Sequence, residues 1–413
     1  MNDQPASKPA PSLMGGASII ASVCVGAGML GLPSSGAGAW TVWSGMALLL
    51  TMVVMTLSGW MLLEAFKHFD LRASFNTVTK SLLGARVNVF SNLTVYFVGG
   101  ILLYAYITSS GLIIQSMTGV DSKLASVVFV LLFSLVVWHS TRAVDRLSVV
   151  LVTFMLLSFV LGVSGLAARI DLGTLFDTAN VNGQYAPYAM AMLPVALTSF
   201  GYHHSVASLR AYYGEERKAQ KAILGGTAVA LSFYLVWLVS IFGNLPRADF
   251  GPVVARGGDV DVLLATLGFA IDSERVATTI SAFSSAAILS SFVGVGLGTF
   301  DFMADLVGFN NDRKGRAKTW AITFIPPLLL SLLAPFGFVL AIGYAGAAAA
   351  IWACIVPALL ARKSRMLADG YTGFLAPGGK VAIILVLVFG GATIVFHFMG
   401  LAGLLPEADL AVM

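Results

Sequence analysis

Eleven stretches of this chain are long and apolar enough to cross a lipid bilayer, and so many of them leave little choice of architecture. They run over about 13–37, 40–66, 87–117, 124–140, 147–168, 188–213, 220–245, 277–304, 317–337, 339–361 and 380–402. Roughly 20 helical residues cross about 30 Å of hydrocarbon. No water is present there to satisfy backbone N–H and C=O groups, so such runs fold as helices. The 413 residues are 58% hydrophobic and 11% charged, a balance suited to lipid rather than to a soluble domain. The expected fold class is an all-α polytopic membrane protein with eleven transmembrane helices. Its fourth span is the shortest, and its third becomes two if Gly111 is a turn.

Loop charge supports the count independently, because Lys and Arg collect on the cytoplasmic side. With the N-terminus inside, nineteen of the 24 basic residues fall on inner segments. Only Lys123, Arg169, Arg247, Arg256 and Arg275 fall outside. The expected topology has a cytoplasmic N-terminus and a periplasmic C-terminus. The net charge of +4 is then mostly a topology signal. Its basic residues are dispersed over short loops, so no nucleic-acid partner is expected. Residues 1–12 read as a disordered cytoplasmic tail and not as a cleavable signal.

Cys24 and Cys354 both lie in spans, which excludes a disulfide framework. His68, His139, His203, His204 and His397 are scattered apart from one adjacent pair, and helix neighbours point about 100° apart. Neither a metal nor another cofactor is expected. No zinc-protease pair of histidines, phosphate loop or nucleophile elbow is present, so the chain does not read as an enzyme.

The first span is broken. Val25-Gly26-Ala27-Gly28-Met29-Leu30-Gly31-Leu32-Pro33 sets three glycines and a proline in an apolar run. Glycine costs roughly 1 kcal/mol and interior proline roughly 3 kcal/mol in a helix. A membrane helix carrying both unwinds where its freed backbone groups find partners, and such breaks line cavities. Residues 26–31 also spell G-x-G-x-x-G. A dinucleotide site needs a preceding strand and an acidic residue about 20 positions on, whereas the next acid here is Glu64. Close helix packing is the plainer alternative for these small residues.

A second break, from Pro194 through Ser199, Phe200, Gly201 and Tyr202 to His204, lies five spans later. Five is odd, so spans one and six cross in opposite directions, as an inverted repeat of five plus five helices requires. The expected units are 13–168, 186–361 and an accessory eleventh helix at 379–403. Paired breaks put helix-end charges of both signs near the bilayer centre, which suits a zwitterion. The amides of Gly26, Ala27 and Gly28, with Met29 completing the break, face its carboxylate. Carbonyls near Cys24, Ser199 and Phe200 face its ammonium. A channel and a non-transporting sensor remain as readings of another class.

The segments GAGMLGLP, LPVALTSFGYHHSVASLRAYYG and YAGAAAAIWACIVPALLARKSR closely resemble the bacterial aromatic amino acid permeases of the hydroxy and aromatic amino acid permease family, its tryptophan-specific members in particular. The resemblance covers essentially the whole chain, including 74–80 and 300–306 between the spans. It implies a bacterial inner-membrane importer with a core like that of the leucine transporter, taking up an aromatic amino acid with a proton gradient.

An indole or phenol needs an apolar slot with aromatic walls. Phe200, Tyr202, Tyr104, Tyr106 and Phe292 are its candidates, with ordinary helix packing as the alternative for each. Gly201, Gly294 and Gly296 leave volume for a large ring, which favours tryptophan, with tyrosine next. For the coupling ion, Glu64, His203, His204 and Asp301 are the ionisable groups within spans. A neutral buried histidine is the structural alternative for His203. Some relatives in the wider superfamily place a lysine in span five, where this chain has Met155. Sodium stays open as well, through carbonyls at Ser22 and Val25 with the hydroxyls of Ser290 and Ser291.

Overall fold

Side-chain caps and glycine stops divide the chain into helices. The computed structural model describes residues 12–71, 73–180, 183–271, 273–310, 312–367 and 371–406, and no strand occurs among them. The expected tail thus falls, except for Ser12, outside the described residues. The helices are α1 (Leu13–Cys24), α2 (Leu32–Gly36), α3 (Trp40–Phe66), α4 (Phe75–Leu83), α5 (Ala85–Thr118), α6 (Ser122–His139), α7 (Thr141–Ala167), α8 (Leu172–Leu175) and α9 (Ala189–Ser199). They continue with α10 (Val206–Tyr213), α11 (Glu216–Phe242), α12 (Gly251–Ala255), α13 (Val260–Ile271), α14 (Glu274–Val307), α15 (Arg313–Leu333), α16 (Phe338–Ala350), α17 (Val356–Ser364) and α18 (Gly379–Leu401).

Ser12, Ser74, Asp121, Ser140 and Asp312 each accept a backbone N–H of the first turn that follows, satisfying donors a helix cannot satisfy itself. Gly119 and Gly308 end α5 and α14 in the left-handed conformation, at φ 74° and 70°. Helix α5 runs unbroken through Gly111, so the third expected span is a single helix.

Among the described residues eight helices are long and apolar enough to cross a membrane. The bent pair Leu13–Cys24 and Ala27–Gly36, with 51° between its halves, makes a ninth. The expected sixth span is the pair α9 and α10 flanking a break. The expected ninth is α15, whose run contains Pro326 and Pro327. The short helices α4, α8, α12 and α13 lie between the long ones.

Small residues let the long helices approach closely, as lipid-embedded packing requires. A Cβ on Gly162 would come within 2.4 Å of Ile280, and one on Gly165 within 2.7 Å of Val276, which joins α7 to α14. Gly226 of α11 meets Ile20 and Ala17 of α1 in the same way. The faces turned outward carry Val150, Leu157, Val160 and Leu161 on α7 and Val381, Ile384 and Val388 on α18. Those apolar surfaces match the hydrocarbon around a polytopic protein. The broken pairs α1/α2 and α9/α10 sit inside the bundle, α1 against α11 and α9 against α3 and α16.

Candidate functional site

The two breaks meet. Helix α1 stops at Cys24, and Gly26 is extended before a 3-10 turn over Ala27–Gly31. That turn leaves its first N–H groups without internal acceptors. The Ala27 N–H donates to Ser291 Oγ of α14 at 2.9 Å. A Cβ on Gly26 would stand 2.7 Å from the same oxygen, so any larger residue there must push the Ser291 hydroxyl aside. Pro33 enters at the start of α2, where a missing N–H costs nothing.

Helix α9 stops at Ser199. The Gly201 N–H turns back to the Thr198 carbonyl at 3.0 Å, and a second 3-10 turn, His203–Ser205, leads into α10. Thr198 Oγ1 lies 3.0 Å from both the Pro194 and Ile342 carbonyls, tying α9 to α16. A Cβ on Gly28 would lie 3.3 Å from Ser199 Oγ and 3.5 Å from Ser199 Cα. Break one therefore rests directly on the end of α9.

Tyr234 of α11, fully buried, joins the two. Its hydroxyl lies 2.7 Å from the Cys24 carbonyl and 2.5 Å from the Ser199 carbonyl. The Phe200 ring meets the Tyr234 ring edge-on, with centroids 5.0 Å apart. No signal in the sequence singles out Tyr234, because one phenol in an apolar helix is unremarkable until its partner is known. The carbonyls assigned to a substrate ammonium are thus held by this hydroxyl, and the Ala27 amide assigned to a carboxylate is held by Ser291.

Of the other expected residues, Met29 is fully buried in the first turn. Tyr106 is buried with its hydroxyl beside Ser291, at break one. Tyr202 stacks on His203 with centroids 4.7 Å apart, but its hydroxyl donates to the Met55 carbonyl of α3 at 2.8 Å. That hydroxyl therefore points away from the junction. His203 is buried beside Trp352, and neither of its ring nitrogens has a hydrogen-bond partner among the described residues. Trp352 belongs to a π turn, Ile351–Ile355, pinned to α3 by a hydrogen bond from Ser58 to the Ala353 carbonyl. Such turns recur at functional positions.

Four expectations are corrected by placement. Tyr104 is buried against the α15–α16 connection, stacked on Phe336 at 4.4 Å with its hydroxyl accepting the Phe336 N–H at 2.5 Å. Phe336, on which it stacks, lines a cavity of about 460 Å3 with Lys123, Arg256 and Asp259, away from the breaks. Phe292 packs on Phe129 and Phe324, toward α6 and α15. Glu64 is fully buried and spent: its carboxylate accepts Arg365 Nε at 2.6 Å, Arg365 Nη2 at 2.7 Å and the Ala376 N–H at 2.8 Å. Asp301 is exposed at a small cavity of about 180 Å3 with Arg316. It follows Ser291 by ten residues, or about 15 Å along a helix.

The sodium set is scattered in part. Ser22 is exposed and donates to the Ile19 carbonyl of its own helix, whereas Ser291 reaches the break. Val25 is buried and its N–H donates to Ala21, and Ser290 is half-buried. Gly201 and Gly296 border tightly packed atoms, while a Cβ on Gly294 would meet open space. Among the described residues no group of three or more His, Cys, Asp or Glu could hold a metal.

Two broken helices meeting inside an all-helical polytopic membrane protein define a transporter-type fold. A manganese transporter from Eremococcus coleocola, solved as a histidine-to-alanine mutant, shares it with a TM-score of 0.61 at 14% identity, covering 96% of this chain and 89% of that one. The chain belongs to the tryptophan/tyrosine permease family, whose model matches residues 9–397. It is 45% identical to a tryptophan-specific transport protein of Pseudomonas aeruginosa over 98% of this chain and 100% of that one. A tryptophan-specific transport protein of Shigella flexneri is 44% identical, over 96% and 97%. A tyrosine permease of Enterobacter agglomerans is 36% identical, over 97% and 99%.

Proposed function

We propose that this protein is a carrier, not an enzyme, that imports an aromatic amino acid, tryptophan first and tyrosine second, by proton symport with alternating access. The observation that carries the reading is the junction itself, where Gly28 abuts Ser199 and one phenol reaches the carbonyl ends of both α1 and α9. Helix C-termini carry partial negative charge and N-terminal amides partial positive charge. An amino acid laid across the junction therefore meets carbonyls at Cys24 and Ser199 with its ammonium. It meets the amides of Gly26 to Gly28 with its carboxylate, displacing Ser291 from Ala27. The fully buried Phe200 gives its ring an apolar wall. The names borne by the family's tryptophan-specific members favour an indole over a phenol.

Helix lengths support an eleven-span core of two inverted five-helix units, 13–168 and 186–361, with 379–403 accessory. Each unit opens with a broken helix. Helices of 27 and 34 residues follow in both: α3 and α5 in the first, α11 and α14 in the second. Short helices interrupt both units at the same place, α4 in one and α12 with α13 in the other. The distribution of basic residues supports a cytoplasmic N-terminus, a periplasmic C-terminus and α13 outside, and the resemblance to bacterial permeases favours the inner membrane.

His203 carries the coupling proton in this reading, since its buried ring nitrogens have no hydrogen-bond partner among the described residues and lie beside break two. Purified protein in sodium-free proteoliposomes tests the whole proposal. An inward proton gradient should drive saturable tryptophan accumulation that a protonophore collapses. Dissipative flux would make the protein a channel, binding without flux a sensor, and strict sodium dependence would return the coupling site to Ser291.

A further inference from the structure

Tyr234 occupies the position that the ammonium of an amino acid needs, an inference that rests on the substrate reading above. Cys24 and Ser199 each end a helix, so their carbonyls sit at the partially negative pole with no next-turn N–H to fill them. The Tyr234 hydroxyl lies 2.7 Å from one and 2.5 Å from the other. A phenol carries one O–H. Two buried carbonyls thus share a single proton, and one of them is short of a donor at every moment. An ammonium brings three N–H donors and a full charge, and its hydrogen bonds are roughly twice as strong as neutral ones.

We propose that Tyr234 is the ammonium-sensing residue of the carrier. In the empty protein its hydroxyl bridges the ends of α1 and α9. In the loaded protein the substrate's ammonium donates to these carbonyls, and the hydroxyl gives up at least one of them and accepts from the ammonium through its oxygen. The phenol stands in for the missing cation without its charge, which lets the empty carrier close the junction and return. A ligand with the same ring and carboxylate but no ammonium has nothing with which to displace the hydroxyl. The edge contact with Phe200 keeps the Tyr234 ring in place, so the exchange is a rotation of the O–H. Tyr234 thereby separates amino acids from the corresponding ring acids.

The test uses the full-length protein with 3-fluorotyrosine in place of Tyr234 and follows its fluorine resonance. Tryptophan should shift it, and indole-3-propionate, which lacks the ammonium, should leave it unmoved at saturation. A second measurement uses Tyr234→Phe in proteoliposomes. With the neutral bridge gone, net uptake, which needs the empty carrier to return, should fall about tenfold relative to tryptophan–tryptophan exchange, which does not. Equal fluorine responses to the two ligands overturn the proposal, as does an unchanged ratio of net uptake to exchange. If Tyr234→Phe does not fold, the fluorine experiment decides alone. Wild-type protein that binds no tryptophan overturns the substrate reading and this inference together, whereas tryptophan binding without discrimination overturns this inference only.

Discussion

Gly346 of α16 faces break two from behind, and Gly346→Ala is expected to damage both stability and uptake. A Cβ there would lie 1.9 Å from the Pro194 carbonyl oxygen, 2.6 Å from its carbon and 2.8 Å from Thr198 Oγ1. Protein Cβ atoms essentially never approach closer than 3.0 Å, so α9 and α16 must part by about 1.1 Å, the difference between 3.0 and 1.9 Å. The obstacle is backbone, with no rotamer to turn aside. The Thr198 Oγ1 bond to the Ile342 carbonyl, now 3.0 Å, would lengthen to about 4 Å and be lost. Overpacking costs roughly 1–3 kcal/mol and a hydrogen bond roughly 0.5–1.5 kcal/mol, so the expected loss is about 1.5–4.5 kcal/mol. Thermal unfolding of purified protein in detergent, beside tryptophan uptake in vesicles, measures both effects. Gly294→Ala is the control, since its Cβ would meet nothing within 4 Å. Gly346→Ala protein that unfolds with Gly294→Ala and transports at the wild-type rate would refute the close-packing account of break two.

Gly59 leaves room for the Tyr202 hydroxyl, which a Cβ would meet at 2.2 Å. Gly59→Ala should therefore cost roughly 1–3 kcal/mol, and adding Tyr202→Phe should recover part of it in the same melting assay; no recovery would mean the clash lies elsewhere. Glu64→Gln should cost roughly 3–5 kcal/mol, because it leaves the Arg365 guanidinium, 10% exposed, without its counter-charge; a melting point equal to wild type would dismiss the ion pair as a structural tie. Asp259, on the α12–α13 connection, accepts the Phe338 N–H at 3.0 Å, and burial holds its carboxyl above the ordinary carboxylate range, against the pull of that bond and of Arg256. A carboxyl whose folded pKa is raised favours the folded state while protonated, so stability should fall as pH rises from the unfolded value through the raised one. Asp259→Asn should flatten that slope on the alkaline side of the unfolded carboxylate value of about 3.9, and an unchanged slope would remove Asp259 as its cause.

Both breaks were visible in the residues, because glycine and proline penalties are local and lipid enforces helix everywhere else. The same rule made the long helices legible, including α5 running straight through Gly111. Locating Gly26 at a close approach needed only its lack of a side chain in an apolar run. The atoms facing each break were not legible. Glu64 and Asp301 looked alike as charges in spans, yet one is locked on Arg365 and the other stands at the far end of α14. Tyr104 and Tyr106 differ by two positions, about 200° around a helix, and that rotation alone sends one to Phe336 and the other to Ser291. Tyr234 gave no local sign because its two carbonyl partners lie 210 and 35 residues away. The sequence by itself determined that the chain is a bundle of lipid-spanning helices and where two of them come apart. Only the tertiary structure decided what fills the gap, since hydrogen-bond partners across a break are set by how helices from distant parts of the chain rotate and pack, and periodicity within one helix carries no record of that.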